Sequence, residues 1–124
     1  MNLVSIIIPV YNYERYLAEA IQSSLDQSFA DKEVIVVNDG SSDGSGEVAE
    51  GFGDAIRYFH QERGGNGSAR NLGVSHSAGE YLSFLDADDR WHPAKIEKEV
   101  ALLKSNFEQD TAPEAPPLSS LDGL

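Results

Sequence analysis

The strongest chemical signal in this sequence is Asp86-Ala87-Asp88, two carboxylates separated by one residue after the apolar run YLSFL. In an extended segment such side chains point to one side, roughly 6–7 Å apart at their Cα atoms. Carboxylates at that spacing repel each other. A divalent cation removes the repulsion and adds a Lewis acid. A solvated acidic turn that merely ends a strand is the ordinary alternative. The apolar run before it, and three further polar loops, favour the metal. Asp89 fits either a third ligand or a cap for the next helix.

Asp39 also follows a hydrophobic run, EVIVVN, and precedes Gly40 and Ser41. Its carboxylate could accept hydrogen bonds from a base edge or a ribose, although Asp-Gly is common turn chemistry. Tyr11, between Pro9-Val10 and Asn12, offers a ring on which a base could stack, or else packs ordinarily. Glu62 to Gly67 (ERGGNG) is glycine-rich and could bring backbone amides near an anion. It matches neither the dinucleotide fingerprint nor the P-loop. Arg70, just beyond it, could reach a phosphate or a base carbonyl, or pair with a surface acid. His60, His76 and His92 have no ligand spacing and read as structural, and Trp91 reads as packing.

Elements that could position these residues are legible in the periodicity. Leu3 to Val10, Glu33 to Val37, Ile56 to Phe59 and Tyr81 to Leu85 read as strands. Between them, Glu14 to Gln27 carries apolar residues at helical spacing, with Asn12 placed to cap it. Asp43 is placed to cap a short helix after the second strand, and Ser68 to Ser77 reads as a third. Pro93 suits the first turn of a last helix, whose stripe is Ile96, Val100 and Leu103. Alternating strands and helices predict an α/β fold, an open parallel sheet with flanking helices and right-handed crossovers. In such sheets ligands bind outside the carboxyl ends of the strands. All four polar loops follow strands, so all converge on that edge.

Composition narrows the chemistry. The 124 residues suffice for one domain, and no cysteine is present, so thiolate metal sites and disulfides are excluded. Hard cations held by oxygen, Mn²⁺ or Mg²⁺, are therefore expected. A net charge of −12 repels nucleic acid and anionic lipid. The apolar start is too short for a membrane span and lacks the marks of a signal peptide, so a cytoplasmic protein with no integral membrane segment is expected. The expected domain covers residues 1–105. Residues 106–124, with three prolines, four acids and no base, read as a disordered or loosely attached tail.

The stretches SIIIPVYNYERYLAEAIQSSLDQSF, EVIVVNDGSSDGS and GNGSARNLGVSHSAGEYLSFLDADD, in this order, resemble the amino-terminal region of the inverting family 2 glycosyltransferases, which have the GT-A, Rossmann-like fold. The resemblance implies a metal-assisted transfer of sugar from a nucleoside-diphosphate sugar, commonly a UDP-sugar, to an acceptor that it does not name. It implies that Tyr11 lies against the base and that Asp39 hydrogen-bonds it. Arg70 would contact the base or diphosphate, and Asp86 and Asp88 the ribose and the Mn²⁺ or Mg²⁺. The nucleotide-binding set expected is thus Pro9, Tyr11, Asn12, Asp39, Gly40, Ser41, Asn66, Arg70, Asp86 and Ala87, with Asp88 and Asp86 on the metal. In that family the acceptor site and catalytic base lie well after the Asp-x-Asp element. Here only one helix and the Pro-rich segment follow it, so the chain is short relative to the family and the catalytic base is expected beyond it. A nucleotide-sugar-binding module, inert alone, is the competing expectation. A receiver-type signalling domain fits poorly, because Val10-Tyr11-Asn12 stands where it needs acids. The shortened sheet would leave YLSFL as an open apolar edge, so a homo-oligomer is expected.

Overall fold

The computed structural model describes residues 3–110. Strand β1 spans Val4–Val10, helix α1 Glu14–Leu25, β2 Lys32–Asp39 and α2 Ser45–Glu50. Strand β3 spans Arg57–Gln61, α3 Asn66–Ser75, β4 Tyr81–Phe84 and α4 Lys95–Asp110. The sheet is four-stranded and open, in the order β3-β2-β1-β4. Every neighbouring pair is parallel, as expected from the sequence.

The order reverses at β1. The chain steps outward from β1 to β2 to β3, then returns to add β4 on the far side of β1. Because β1 is central and covered on both faces, all seven of its residues are buried. Ile6, Ile8 and Val10 join Leu17 and Ile21 of α1 and Ile96, Val100 and Leu103 of α4 in one core layer. Ile7, Ile35 and Val37 face the other way, against Ala69 of α3. Gly73 lets α3 approach closely, since a Cβ there would meet Ile7 Cγ2 at 2.5 Å.

Three local expectations change. Asn12 does not cap α1; the cap position is Tyr13, without a side-chain bond. Asn12 has φ of 57° and turns its side chain to the loop after β2 instead. Pro93 lies in a turn ahead of α4 rather than in its first turn. α4 runs to Asp110, so residues 106–110 extend the helix. The tail expected over 106–124 otherwise lies outside the described residues.

Candidate functional site

Strand register brings the chemistry together. Val10 pairs with Asn38 and Asp39 with Gln61, so Tyr11, Asp39 and Gln61 succeed one another across the carboxyl ends of three strands. Strand alternation chooses the face. Ile7 on β1, Val37 on β2 and Phe84 on β4 belong to the layer beneath α3. Pro9, Asp39 and Asp86 each stand two residues further on. They open with Tyr11 onto a cavity of about 650 Å³, closed on the α3 side by Asn66 and Ala69.

Asn12, Ala87 and Asp88 complete the predicted residues on the cavity wall. Gly40, Ser41 and Arg70 are not on it. Gly40 has φ of 72°, and a Cβ there would lie 2.6 Å from the Arg63 backbone nitrogen. It is a tight turn beneath the glycine-rich loop. Ser41 works within the loops: its Oγ accepts the Asn12 N–H at 3.0 Å, and its own N–H donates to Asn38 Oδ1 at 3.0 Å. Arg70 lies behind Asp86, 3.9 Å from its carboxylate, with its guanidinium 4.7 Å from the Phe84 ring centre.

Asp39 is 2% exposed and is the most heavily bonded carboxylate of the site. Oδ1 accepts the Gln61 amide and the Gly64 N–H, both at 2.8 Å. Oδ2 accepts the Gly65 N–H at 3.0 Å and a guanidinium N–H of Arg63. Burial would raise its pKa, but the bonds from Gly64, Gln61, Arg63 and Gly65 outweigh burial and hold it below the ordinary aspartate value. Asp39 is therefore the anchor on which the glycine-rich loop is tied down. It is also the polar floor of the cavity.

The Asp-x-Asp element is not extended. Ala87 and Asp88 form a turn, and the Asp89 N–H donates to the Asp86 carbonyl at 3.0 Å. The alternation expected for an extended segment does not apply, because the strand stops at Phe84. The turn nevertheless leaves both carboxylates on the cavity wall and buries Ala87 between them. Asp86 is 67% exposed at its side chain. Asp89 is not on the cavity wall, and its Oδ1 accepts the Arg90 N–H at 2.8 Å. No third acid, His or Cys completes a metal-holding group among the described residues.

Arg63 is the residue that the sequence reading missed. Its guanidinium carbon lies over the Tyr11 ring, 3.8 Å from the ring centre, while the group is also paired with Asp39. The available signal was a lone cation inside a glycine-rich loop of a chain with net charge −12.

The Glycosyl transferase family 2 profile matches residues 5–115. The chain belongs to that family. An uncharacterized family relative, a glycosyltransferase of Rickettsia felis, is 53% identical over 112 residues, which are 88% of this chain and 18% of the relative. The chain spans about a third or less of the curated relatives it matches. S. aureus TarS 1-349 in complex with UDP superposes with a TM-score of 0.78 at 28% identity, covering 85% of this chain and 33% of that one. The mannosyltransferase PcManGT of Pyrobaculum calidifontis, in complex with GDP-Man and Mn²⁺, gives 0.73 at 26% identity, covering 81% and 32%. These neighbours have the GT-A fold, and the open parallel sheet here is of the same class. Among the described residues no helix is long and apolar enough to cross a membrane.

Proposed function

We propose that this chain is the donor-binding part of a glycosyltransferase that takes a nucleoside-diphosphate sugar, with uridine as the first nucleoside to test. One observation carries the reading. A stacking ring (Tyr11), a buried hydrogen-bonding carboxylate (Asp39) and two exposed carboxylates (Asp86, Asp88) face one cavity of about 650 Å³. The base would lie toward Tyr11 and Asp39, and the diphosphate toward Asp86 and Asp88. The complexes of TarS with UDP and of PcManGT with GDP-Man and Mn²⁺ support a nucleotide donor and a divalent cation.

Asp86 and Asp88 fit a hard cation. Mn²⁺ or Mg²⁺ is commonly held by one or two carboxylates, with substrate phosphates and water filling the other positions. Among the described residues no donor occupies the Asp88 carboxylate, and Asp86 has only the 3.9 Å approach of Arg70. When bound, the cation supplies positive charge opposite the charge that grows on the departing diphosphate. In the transfer, an acceptor hydroxyl forms a bond to the anomeric carbon. The bond to the diphosphate oxygen breaks, and the nucleoside diphosphate leaves with the electron pair. The hydroxyl proton needs a base.

That last requirement favours a second reading for this polypeptide alone, a donor-binding module that transfers nothing unaided. The carboxylates on the cavity wall are Asp39, Asp86 and Asp88. Asp39 is saturated with donors, and the other two are assigned to the cation.

Calorimetric titration of UDP tests the donor site, with Mn²⁺, with EDTA and with Asp88→Ala. Binding that needs both Mn²⁺ and Asp88 is the expected result. Binding that is indifferent to both refutes the metal assignment, and no binding at all refutes the donor reading. With UDP-sugar and a panel of acceptors, release of free sugar or glycoside separates the transferase from the inert module.

A further inference from the structure

Arg63 fills the place between Tyr11 and Asp39. Its planar guanidinium covers the Tyr11 ring at 3.8 Å, and it donates an N–H to Asp39 Oδ2. A flat face over an aromatic ring and an N–H aimed at a carboxylate are also what a nucleobase would present there. The Arg63 side chain is held from behind. The Gly40 turn packs against its backbone, and its neighbours Gly64 and Gly65 are pinned to the same carboxylate. The side chain itself is 51% exposed, so it has open solvent into which to swing without any movement of the loop.

We propose that Arg63 is an internal placeholder for the nucleobase. It keeps the Tyr11–Asp39 slot preformed and the Asp39 carboxylate satisfied, and it must leave before a base can enter. The inference rests on the donor reading above and deepens it by naming the residue that sets nucleoside affinity. A binding-competent state populated only in part lowers apparent affinity by that fraction. An Arg63 that closes the slot nine-tenths of the time thus weakens binding about tenfold. It also sets a selection rule. A base that replaces the guanidinium has to bring both a stacking face and an N–H for Asp39, since a buried acceptor left without its donor is costly.

The test uses uridine, which is uncharged, so that removing a cation does not itself weaken binding as it would for an anionic diphosphate. Arg63→Ala is expected to bind uridine about tenfold more tightly than the parent. Methylguanidinium added to Arg63→Ala is expected to reverse that gain and to shift the amide resonances of Gly64 and Gly65, which bond to Asp39. Equal or weaker uridine binding by Arg63→Ala overturns the placeholder while leaving the donor reading standing. If neither protein binds any nucleoside or nucleotide, the donor reading fails and the placeholder falls with it. In the parent protein, uridine is expected to release the Arg63 guanidinium resonances from their ring-shifted positions over Tyr11. Retention of those positions in the saturated complex also overturns it.

Discussion

Asn12 Oδ1 accepts the backbone N–H of Ser42 at 2.8 Å, across 30 residues of sequence. The same oxygen accepts the Asp43 N–H at 3.2 Å. The return bonds are the Asn12 N–H to Ser41 Oγ, the Tyr13 N–H to Ser45 Oγ and the Glu14 N–H to Asp43 Oδ2. The loops after β1 and β2 are thus clasped in both directions, which fixes one wall of the cavity. Asn12 also holds the left-handed conformation, which Asn tolerates better than most residues. Asn12→Ala is expected to cost about 1–2 kcal/mol, through the lost acceptor and the strained backbone. Asn12→Asp keeps the acceptor and is expected to retain most of the stability. Urea unfolding of the two variants checks this, and equal losses would show that the clasp is not the cause.

Asp39 makes stability depend on acid. Burial acts to raise its pKa, but the surrounding donors depress it below the ordinary aspartate value. A carboxyl whose folded pKa is depressed contributes stability that is fully present above its unfolded pKa, about 3.9. That contribution falls away as pH drops through the unfolded and then the folded value. Glu33 behaves likewise at the other end of the sheet: burial raises its pKa, but bonds from Ser5, Ala78 and Arg57 depress it overall. Unfolding free energy is therefore expected to be level from pH 7 to about 5 and to decline below about 4. Asp39→Asn should be less stable at neutral pH, by roughly 1–3 kcal/mol, and should show a shallower acid decline. An unchanged acid slope in that variant would refute the assignment.

Gly40 is required twice over, by its positive φ and by the Arg63 backbone 2.6 Å from where a Cβ would stand. The backbone term alone is worth about 1–2 kcal/mol. Gly40→Ala is expected to lose at least that much and to push the glycine-rich loop away from Asp39. Amide exchange at Gly64 and Gly65 should then accelerate by more than at the centre of β1. Uniform acceleration would mean global destabilisation only.

Among the described residues β4 is an edge strand, paired with β1 alone. Its outer backbone groups and the half-buried Tyr81, Leu82 and Phe84 are open to a further strand. Self-association of this chain is the expected outcome, with sedimentation showing a concentration-dependent dimer. The Tyr81 and Leu85 N–H groups donate to Leu3 and Ile7 on the β1 side, so by alternation the outward donors are those of Leu82 and Phe84. Leu82→Pro, which removes one of them, is expected to weaken pairing at the edge. A monomer at high concentration would count against the edge as an interface.

Much of this protein is written in short-range pattern. The β-branched runs at Val4–Val10 and Lys32–Asp39, the turn chemistry of NDGSSDGSG and the helical stripe of Ile96, Val100 and Leu103 are local properties. They determined the parallel α/β class and the common edge at which Tyr11, Asp39, Asn66, Asp86 and Asp88 meet. Local pattern did not decide how the loops bond to each other. Asn12 carries the residue type of a helix cap, yet it clasps Ser42 and Asp43, because the register of β1 on β2 delivers those amides to it. Asp86 and Asp88 share a wall through a turn rather than through strand alternation. Above all, Arg63 reads as one cation among surface acids until folding places it between Tyr11 and Asp39. Such partners, separated by 24 residues or more along the chain, are chosen by sheet order and close packing. No periodicity of 2 or 3.6 records them.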